Sequence, residues 1–267
     1  MSSIRVISLE RSAARREKFA RMNAHLDFRF FDAVDGAALA ADDPRRAALF
    51  RPGLPYSPGA YGCALSHLAL WEEAIAGGSP VTVAEDDAIF RLDFVARRDA
   101  ALAALPPDWD IVIWGWNLDY VLSLDFMPGV SPAVVRFDQD QMRNGIDVFR
   151  AMTRAPQLLP LDMVWGIPAY TISPAGARRF RKRCFPLECF SHAVPVTGAV
   201  LTNTGIDSAM NRIYATTHSY VSFPPLAITE NDHSISTIQQ VKQKSLLSKK
   251  FRALRERVRR AFGRRAA

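Results

Sequence analysis

Val81-Thr82-Val83-Ala84-Glu85-Asp86-Asp87-Ala88-Ile89-Phe90 joins a short apolar, β-branched run to three consecutive acids, after which apolar residues resume at once. That pattern reads as a buried strand whose carboxyl end delivers carboxylates to the lip of a pocket. Adjacent acids repel one another, so a fold retains three of them where something offsets their charge. A divalent cation would do so, because Mg²⁺ and Mn²⁺ prefer oxygen ligands, commonly one or two carboxylates plus substrate phosphates. A solvated acidic turn is the alternative, and the hydrophobic strand leading straight into the cluster weighs against it.

Outward from this stretch the chain alternates between strand and helix patterns. Ile4 to Leu9 reads as a first strand, and Ser12 as a cap for a helix from about Ala13 to His25. Phe28 to Phe31 is a second short strand. A loop rich in Pro and Gly, Arg51 to Gly62, precedes an amphipathic helix from Cys63 to Ala76, closed by Gly77-Gly78. After the acid strand, Asp110 to Gly115 is another buried strand. The irregular stretch from Asn117 to about Pro160 predicts an excursion from the core that holds an acceptor. Trp165 to Ile172 reads as a strand, Pro174 to Phe180 as a helix started by its proline, Asn203 to Tyr214 as a loop and helix, and Tyr220 to Pro225 as a last strand and turn. The alternation predicts one α/β domain.

With 267 residues, 49 % of them hydrophobic, the chain can bury one substantial core. No apolar run approaches the ~18–20 residues that span a bilayer, and the opening residues lack a secretory signal pattern. Cys63, Cys184 and Cys189 are read as structural or incidental thiols of a reducing compartment. The net charge of +7 is unevenly placed: Lys242 to Arg265 holds eleven bases and one acid, which leaves the body with 23 bases against 26 acids. A domain of residues 1–238 is therefore followed by a basic tail, 239–267. Within the tail Leu247, Phe251, Leu254, Val258 and Phe262 form one apolar stripe on a helix, with Lys and Arg on the other faces. Such a helix suits an anionic membrane surface; a helix docked on the body, or a solvated tail, fits the same residues. A nucleic-acid-binding protein led by its tail is a rival reading, against which the acidic body counts.

Other residues could carry chemistry. Arg11, Arg15 and Arg16 follow the first strand, at the sheet edge where α/β folds bind ligands, and could clamp a diphosphate or remain solvated. Ser66 and His67 lie in the helix before the acid strand; a histidine there is usually packed and hydrogen-bonded. Asp207 could accept a proton from a hydroxyl or cap the helix after it, and Glu230 and Asp232 are weaker candidates of the same kind. Trp114 reads as core, and Trp116 as either core or a stacking surface.

Four pieces occur in order and spacing that resemble glycosyltransferase family 25, the lipopolysaccharide and lipooligosaccharide glycosyltransferases related to the collagen galactosyltransferases. They are Ile7-Ser8-Leu9-Glu10-Arg11 with Arg15; Phe31-Asp32-Ala33-Val34-Asp35-Gly36; Gly62-Cys63-Ala64-Leu65-Ser66-His67-Leu68 with Trp71; and Glu85-Asp86-Asp87. Gly166 to Ser173 with Gly176-Ala177, then Asp207 and Phe223 to Leu226, continue the likeness. Ser8 stands where the family often has Asn, and Ala60-Tyr61 where a Glu-Ile pair is common. The resemblance implies a GT-A-like nucleotide-sugar domain with a mostly parallel central sheet. It implies transfer of a hexose, galactose or glucose, from a UDP-sugar to a glycan or lipid-linked acceptor in bacterial surface polysaccharide synthesis, with inversion. Asp87 and Asp86 would hold Mn²⁺ or Mg²⁺ in a DxD-like motif. Arg11, Arg15, Ser66, His67, Glu85 and Asp86 would contact the donor, and Asp207 would be the base. The enzyme would be cytoplasmic and peripheral on the inner face of the cell membrane, with no specific nucleic-acid partner. A non-catalytic sugar-nucleotide-binding relative is the alternative.

Overall fold

A computed structural model of the chain describes residues 3–40 and 42–230. The tail read as a basic amphipathic helix, and Asp232, lie outside the described residues. Among those described, no helix is long and apolar enough to cross a membrane.

The first half places the acid triplet. β1 (Ile4–Ser8) leads into α1 (Ala13–Met22) and then β2 (Phe28–Asp32). Ser12 occupies the N-cap of α1 without a side-chain capping bond. α2 (Pro44–Leu49) and α3 (Pro58–Gly77) precede β3 (Val81–Glu85). β1 lies between β2 and β3 and runs parallel to both, with Val6 opposite Ala84 and Ile7 opposite Glu85. The carboxyl ends of β1 and β3 therefore meet, as crossover connections in α/β sheets arrange them.

α3 begins five residues before the position expected from the sequence. Pro58-Gly59 looks like a breaker, yet Ser57 caps the helix by accepting from the Ala60 N–H, and Pro58 occupies a first-turn position where its missing N–H costs nothing. The added turn brings Gly62 against the loop after β2. A Cβ on Gly62 would overlap the Val34 carbonyl and lie 2.6 Å from the Gly36 nitrogen. Only a residue without a side chain lets loop and helix touch there.

The acids turn the chain into β4 (Ala88–Phe90) and α4 (Phe94–Ala103), followed by β5 (Ile111–Gly115). The stretch expected as an excursion instead extends the sheet: β6 (Val121–Met127), β7 (Ser131–Arg136), α5 (Gln139–Asn144), α6 (Ile146–Arg150) and β8 (Gln157–Met163). Pro132 hid β7, but proline is tolerated in an edge strand, and β7 is the edge. β9 (Ala169–Ile172) is shorter than expected, because Trp165 to Pro168 form a turn with Gly166 at φ 73°. α7 (Pro174–Cys184), the small hairpin of β10 (Ser191–Ala193) and β11 (Val200–Thr202), α8 (Ile206–Met210), β12 (Ser219–Phe223) and β13 (Ala227–Thr229) complete the fold.

The nine-stranded sheet runs β2-β1-β3-β9-β5-β12-β8-β6-β7. It is mixed: parallel among β2, β1 and β3 and between β5 and β12, antiparallel wherever β9, β8, β6 and β7 pair. Neighbouring residues of a strand point to opposite faces. Val83 and Ile113 thus join Trp71 of α3 and Phe180 of α7 in one core, while Ala84, Val112 and Trp114 join Phe19 of α1 and Phe94 of α4 in another. Helices cover both faces, the α/β arrangement the alternation predicts.

Candidate active site at the carboxyl ends of β1 and β3

The three acids at the end of β3 have three different environments. Asp86 is buried and has hydrogen bonds at both oxygens: Ser8 Oγ donates to Oδ2 at 2.7 Å, and Arg15 Nε donates to Oδ1 at 2.8 Å, with Arg15 Nη2 on the same oxygen. Charge-assisted bonds from a planar guanidinium are what let a carboxylate remain buried. Asp87 meets the same guanidinium from further off. Its side chain is 39 % exposed, 3.8 Å from Arg15 Nη2, but its Oδ1 is buried and has no hydrogen-bond partner. Burial and the neighbouring charge of Glu85 push its carboxyl up to about 7, against the opposing charge of Arg15 and a hydrogen bond with the Thr229 side chain. Glu85, one-quarter exposed, meets His67 Nε2 through Oε1 at 3.4 Å.

His67 projects from α3 with no exposed surface, and its Nδ1 lies 2.9 Å from the Tyr170 hydroxyl of β9. The same hydroxyl accepts from Trp71 Nε1 at 2.9 Å. One helical turn before His67, Cys63 faces the same place: Cys63 Sγ, a His67 ring nitrogen and a Glu85 oxygen lie within 4.8 Å of one another. Burial, then the charges of Glu85 and Asp207, hold the Cys63 thiol well above its usual range.

Asp207 lies within reach of the charges of this group. Gly205, not Asp207, is the N-cap of α8. Asp207 Oδ2 accepts from the Gly166 N–H at 2.9 Å and Oδ1 from the Ser208 N–H at 2.8 Å. Burial raises its carboxyl, the two backbone bonds oppose the rise, and the charges of Glu85 and His67 reach it in opposite senses. The charges of Glu85 and His67 thus reach Asp207 from more than 100 positions earlier in the chain. Gly166 makes the bond to Asp207 possible, because its left-handed backbone and lack of Cβ leave room for the Asn117 side chain while its N–H aims at Asp207.

The other sequence candidates take structural partners. Arg11 pairs with Asp35 at the surface, and Arg16 donates to the Ser8 carbonyl at 2.8 Å and to Asp32 at 2.5 Å. Ser66 is buried; its Oγ donates to the Gly62 carbonyl at 2.7 Å and accepts from the Val34 N–H at 2.9 Å, which ties α3 to the loop after β2. Glu230 pairs with Lys18 at 2.7 Å. Trp116 is fully buried, as is Trp114. The parts played by Tyr170, Trp71 and the Gly166 N–H have no local signal, since each is defined by a contact between distant segments.

The donor set suits a hard divalent cation better than a soft one. Asp87 Oδ1 is a buried acceptor without a donor, Glu85 lies two residues away on the same lip, and their mutual repulsion is the kind a cation relieves. Asp86, enclosed by Ser8 and Arg15, positions the turn between them.

Comparison with known proteins agrees with this arrangement of motifs. The profile described as "Glycosyltransferase family 25 (LPS biosynthesis protein)" matches residues 1–195. A "Glycosyltransferase 25 family member" of Aedes aegypti is 36 % identical over 128 residues, 43 % of this chain and 21 % of that protein. The "Inactive glycosyltransferase 25 family member 3" of Homo sapiens is 35 % identical over 142 residues, 47 % of this chain and 24 % of that one. The "Putative glycosyltransferase R655" of Acanthamoeba polyphaga mimivirus is 32 % identical over 122 residues, 43 % of this chain and 37 % of it. The chain spans well under half the length of these relatives. With the profile covering nearly three-quarters of the sequence, including the motifs from Ile7 to Asp87, the chain belongs to glycosyltransferase family 25.

Proposed function

We propose that this chain transfers a hexose, galactose or glucose, from a UDP-sugar to a glycan or lipid-linked acceptor with inversion, aided by Mn²⁺ or Mg²⁺ in a GT-A-like nucleotide-sugar domain. The observation that carries the reading is Asp87 Oδ1, buried without a partner beside Glu85, whose charge also reaches Asp207 of α8. Glu85 and Asp87 would hold the cation, which supplies charge stabilisation to a departing diphosphate. Arg15 holds Asp86 and so fixes the turn that presents Asp87; its guanidinium also brings a positive charge to the place where phosphates would lie. Asp207 is oriented by two backbone N–H groups, one on each oxygen, and each oxygen keeps a lone pair for the proton of an attacking hydroxyl. Burial makes it a stronger base than a solvated aspartate, as a general base near neutral pH requires. Direct attack with one carboxylate as base is the chemistry of an inverting transfer.

The basic tail, residues 239–267, would hold the enzyme on anionic lipid at the inner face of the membrane, near a lipid-linked acceptor. A second reading is favoured by the human relative, whose name calls it inactive: a sugar-nucleotide-binding protein without transfer. Calorimetry with UDP, GDP, CMP and their sugars, with and without Mn²⁺, tests both. Mn²⁺-dependent UDP-sugar binding followed by release of UDP to an acceptor supports the transferase. Binding without turnover across a panel of glycan and glycolipid acceptors supports the second reading, and no nucleotide binding overturns both.

A further inference from the structure

Trp71, Tyr170 and His67 form a buried hydrogen-bonded line that ends on Glu85, and donor counting fixes its direction. An indole N–H can only donate, so Tyr170 Oη accepts from Trp71. Burial keeps the Tyr170 hydroxyl protonated. That single proton needs an acceptor, and the atom at 2.9 Å is His67 Nδ1. The neutral imidazole then carries its proton on Nε2, which faces Glu85 Oε1. The opposite tautomer would give Tyr170 Oη two donors and strand a buried O–H, at a cost of about 1–3 kcal/mol.

We propose that His67 is a positioning residue: locked as the Nε2–H tautomer by Tyr170 and Trp71, it holds Glu85 by Oε1 and leaves Oε2 to whatever occupies the pocket beside Asp87. The proposal rests on the reading of that pocket as a cation and donor site. The fold supports the geometry. Trp71 and His67 are one turn apart on one face of α3, and Tyr170 lies on β9, directly hydrogen-bonded to β3, with Val83 opposite it. Helix and sheet are thereby registered on the residue that ends β3. A carboxylate held in this way loses less freedom when it binds, and outer-shell partners of this kind tune metal ligands.

The same geometry offers a rival. Cys63 Sγ, His67 and Glu85 lie close enough together to ligate an ion themselves. That would require the bare Nε2 and hence the tautomer that strands the Tyr170 proton. The line of hydrogen bonds accounts for Trp71, Tyr170, His67 and Glu85 without that cost.

Two measurements on the full chain test the proposal. In ¹⁵N-histidine-labelled protein without metal, His67 is expected as the Nε2–H tautomer, and Tyr170→Phe is expected to shift it toward a mixture. A wild-type Nδ1–H tautomer overturns the proposal. In calorimetry with Mn²⁺ and UDP, His67→Leu is expected to weaken Mn²⁺ binding by about 10–100-fold. His67→Gln, whose amide N–H can reach Glu85 in place of Nε2, is expected to recover most of the loss, and Cys63→Ala to change little. Equal affinity in wild type and a folded His67→Leu overturns the proposal, as does loss of binding in Cys63→Ala, which would place the ion on the thiol. Should His67→Leu fail to fold, the Gln and Phe variants carry the test. A wild type that shows the Nε2–H tautomer but binds no Mn²⁺–UDP refutes the proposed function while leaving the hydrogen-bonded line intact.

Discussion

Ser8 Oγ donates a 2.7 Å hydrogen bond to Asp86 Oδ2, so the ends of two parallel strands are joined by residues 78 positions apart. The bond explains how a fold keeps three consecutive acids. Ser8 and Arg15 satisfy the middle one, which leaves the outer two to face the pocket.

Removing either donor should therefore cost stability. Ser8→Ala is expected to destabilise the chain by about 1–3 kcal/mol, because it leaves a buried carboxylate oxygen without its donor. Arg15→Met should cost more, since it removes the charge that balances Asp86. Urea unfolding with a common slope checks both, and a stable Arg15→Met protein would mean that the pair contributes little.

Asp87 should decide cation-dependent binding. Excess Mn²⁺ with UDP is expected to raise the melting temperature of the wild type, as any ligand specific to the native state does, and chelation should reverse the rise. In Asp87→Ala the shift should vanish. If Asp87→Ala still responds while Asp86→Ala does not, the cation is held by the middle acid instead.

Asp207→Asn keeps one oxygen for a backbone N–H and loses the basic carboxylate. With a competent acceptor, the rate of transfer is expected to fall by about 10²–10⁴-fold while donor affinity changes little. A parallel loss of UDP-sugar affinity would make Asp207 a binding residue rather than the base.

Asp93 should set part of the acid sensitivity of the fold. Burial pushes its carboxyl up, but hydrogen bonds from the buried Arg91 and from Arg97 outweigh that and bring it below its ordinary value. A depressed carboxyl binds fewer protons in the native than in the unfolded state. Its contribution is therefore complete above the unfolded value of ~3.9 and is lost as pH falls through the lower folded value. The melting-temperature gap between wild type and Asp93→Asn should be widest near neutrality and narrow below pH ~4. A gap that does not change with pH would show that the pair acts through geometry alone.

Much of this was legible in the chain itself. The apolar run ending in Glu85-Asp86-Asp87 specified a buried strand with acids at its carboxyl end, because β-branched residues bounded by charge fit few other conformations. Alternating periodicities specified helices on both faces of a sheet, and the motifs from Ile7 to Asp87 specified the family. Local signals failed where a proline carried two meanings, at the start of α3 and in β7.

What only the tertiary structure decided is the separate role of each acid and the company it keeps. Three neighbouring carboxylates look alike in a sequence; Ser8 and Arg15 single out Asp86, and an unpaired oxygen singles out Asp87. The turn at Gly166 brings an N–H to Asp207, whose carboxyl feels the charges of Glu85 and His67, and Tyr170 chooses the tautomer of His67. Hydrophobic patterning is written in short-range spacing, whereas hydrogen bonds between residues 40 to 100 positions apart depend on strand order and register, which no local stretch encodes.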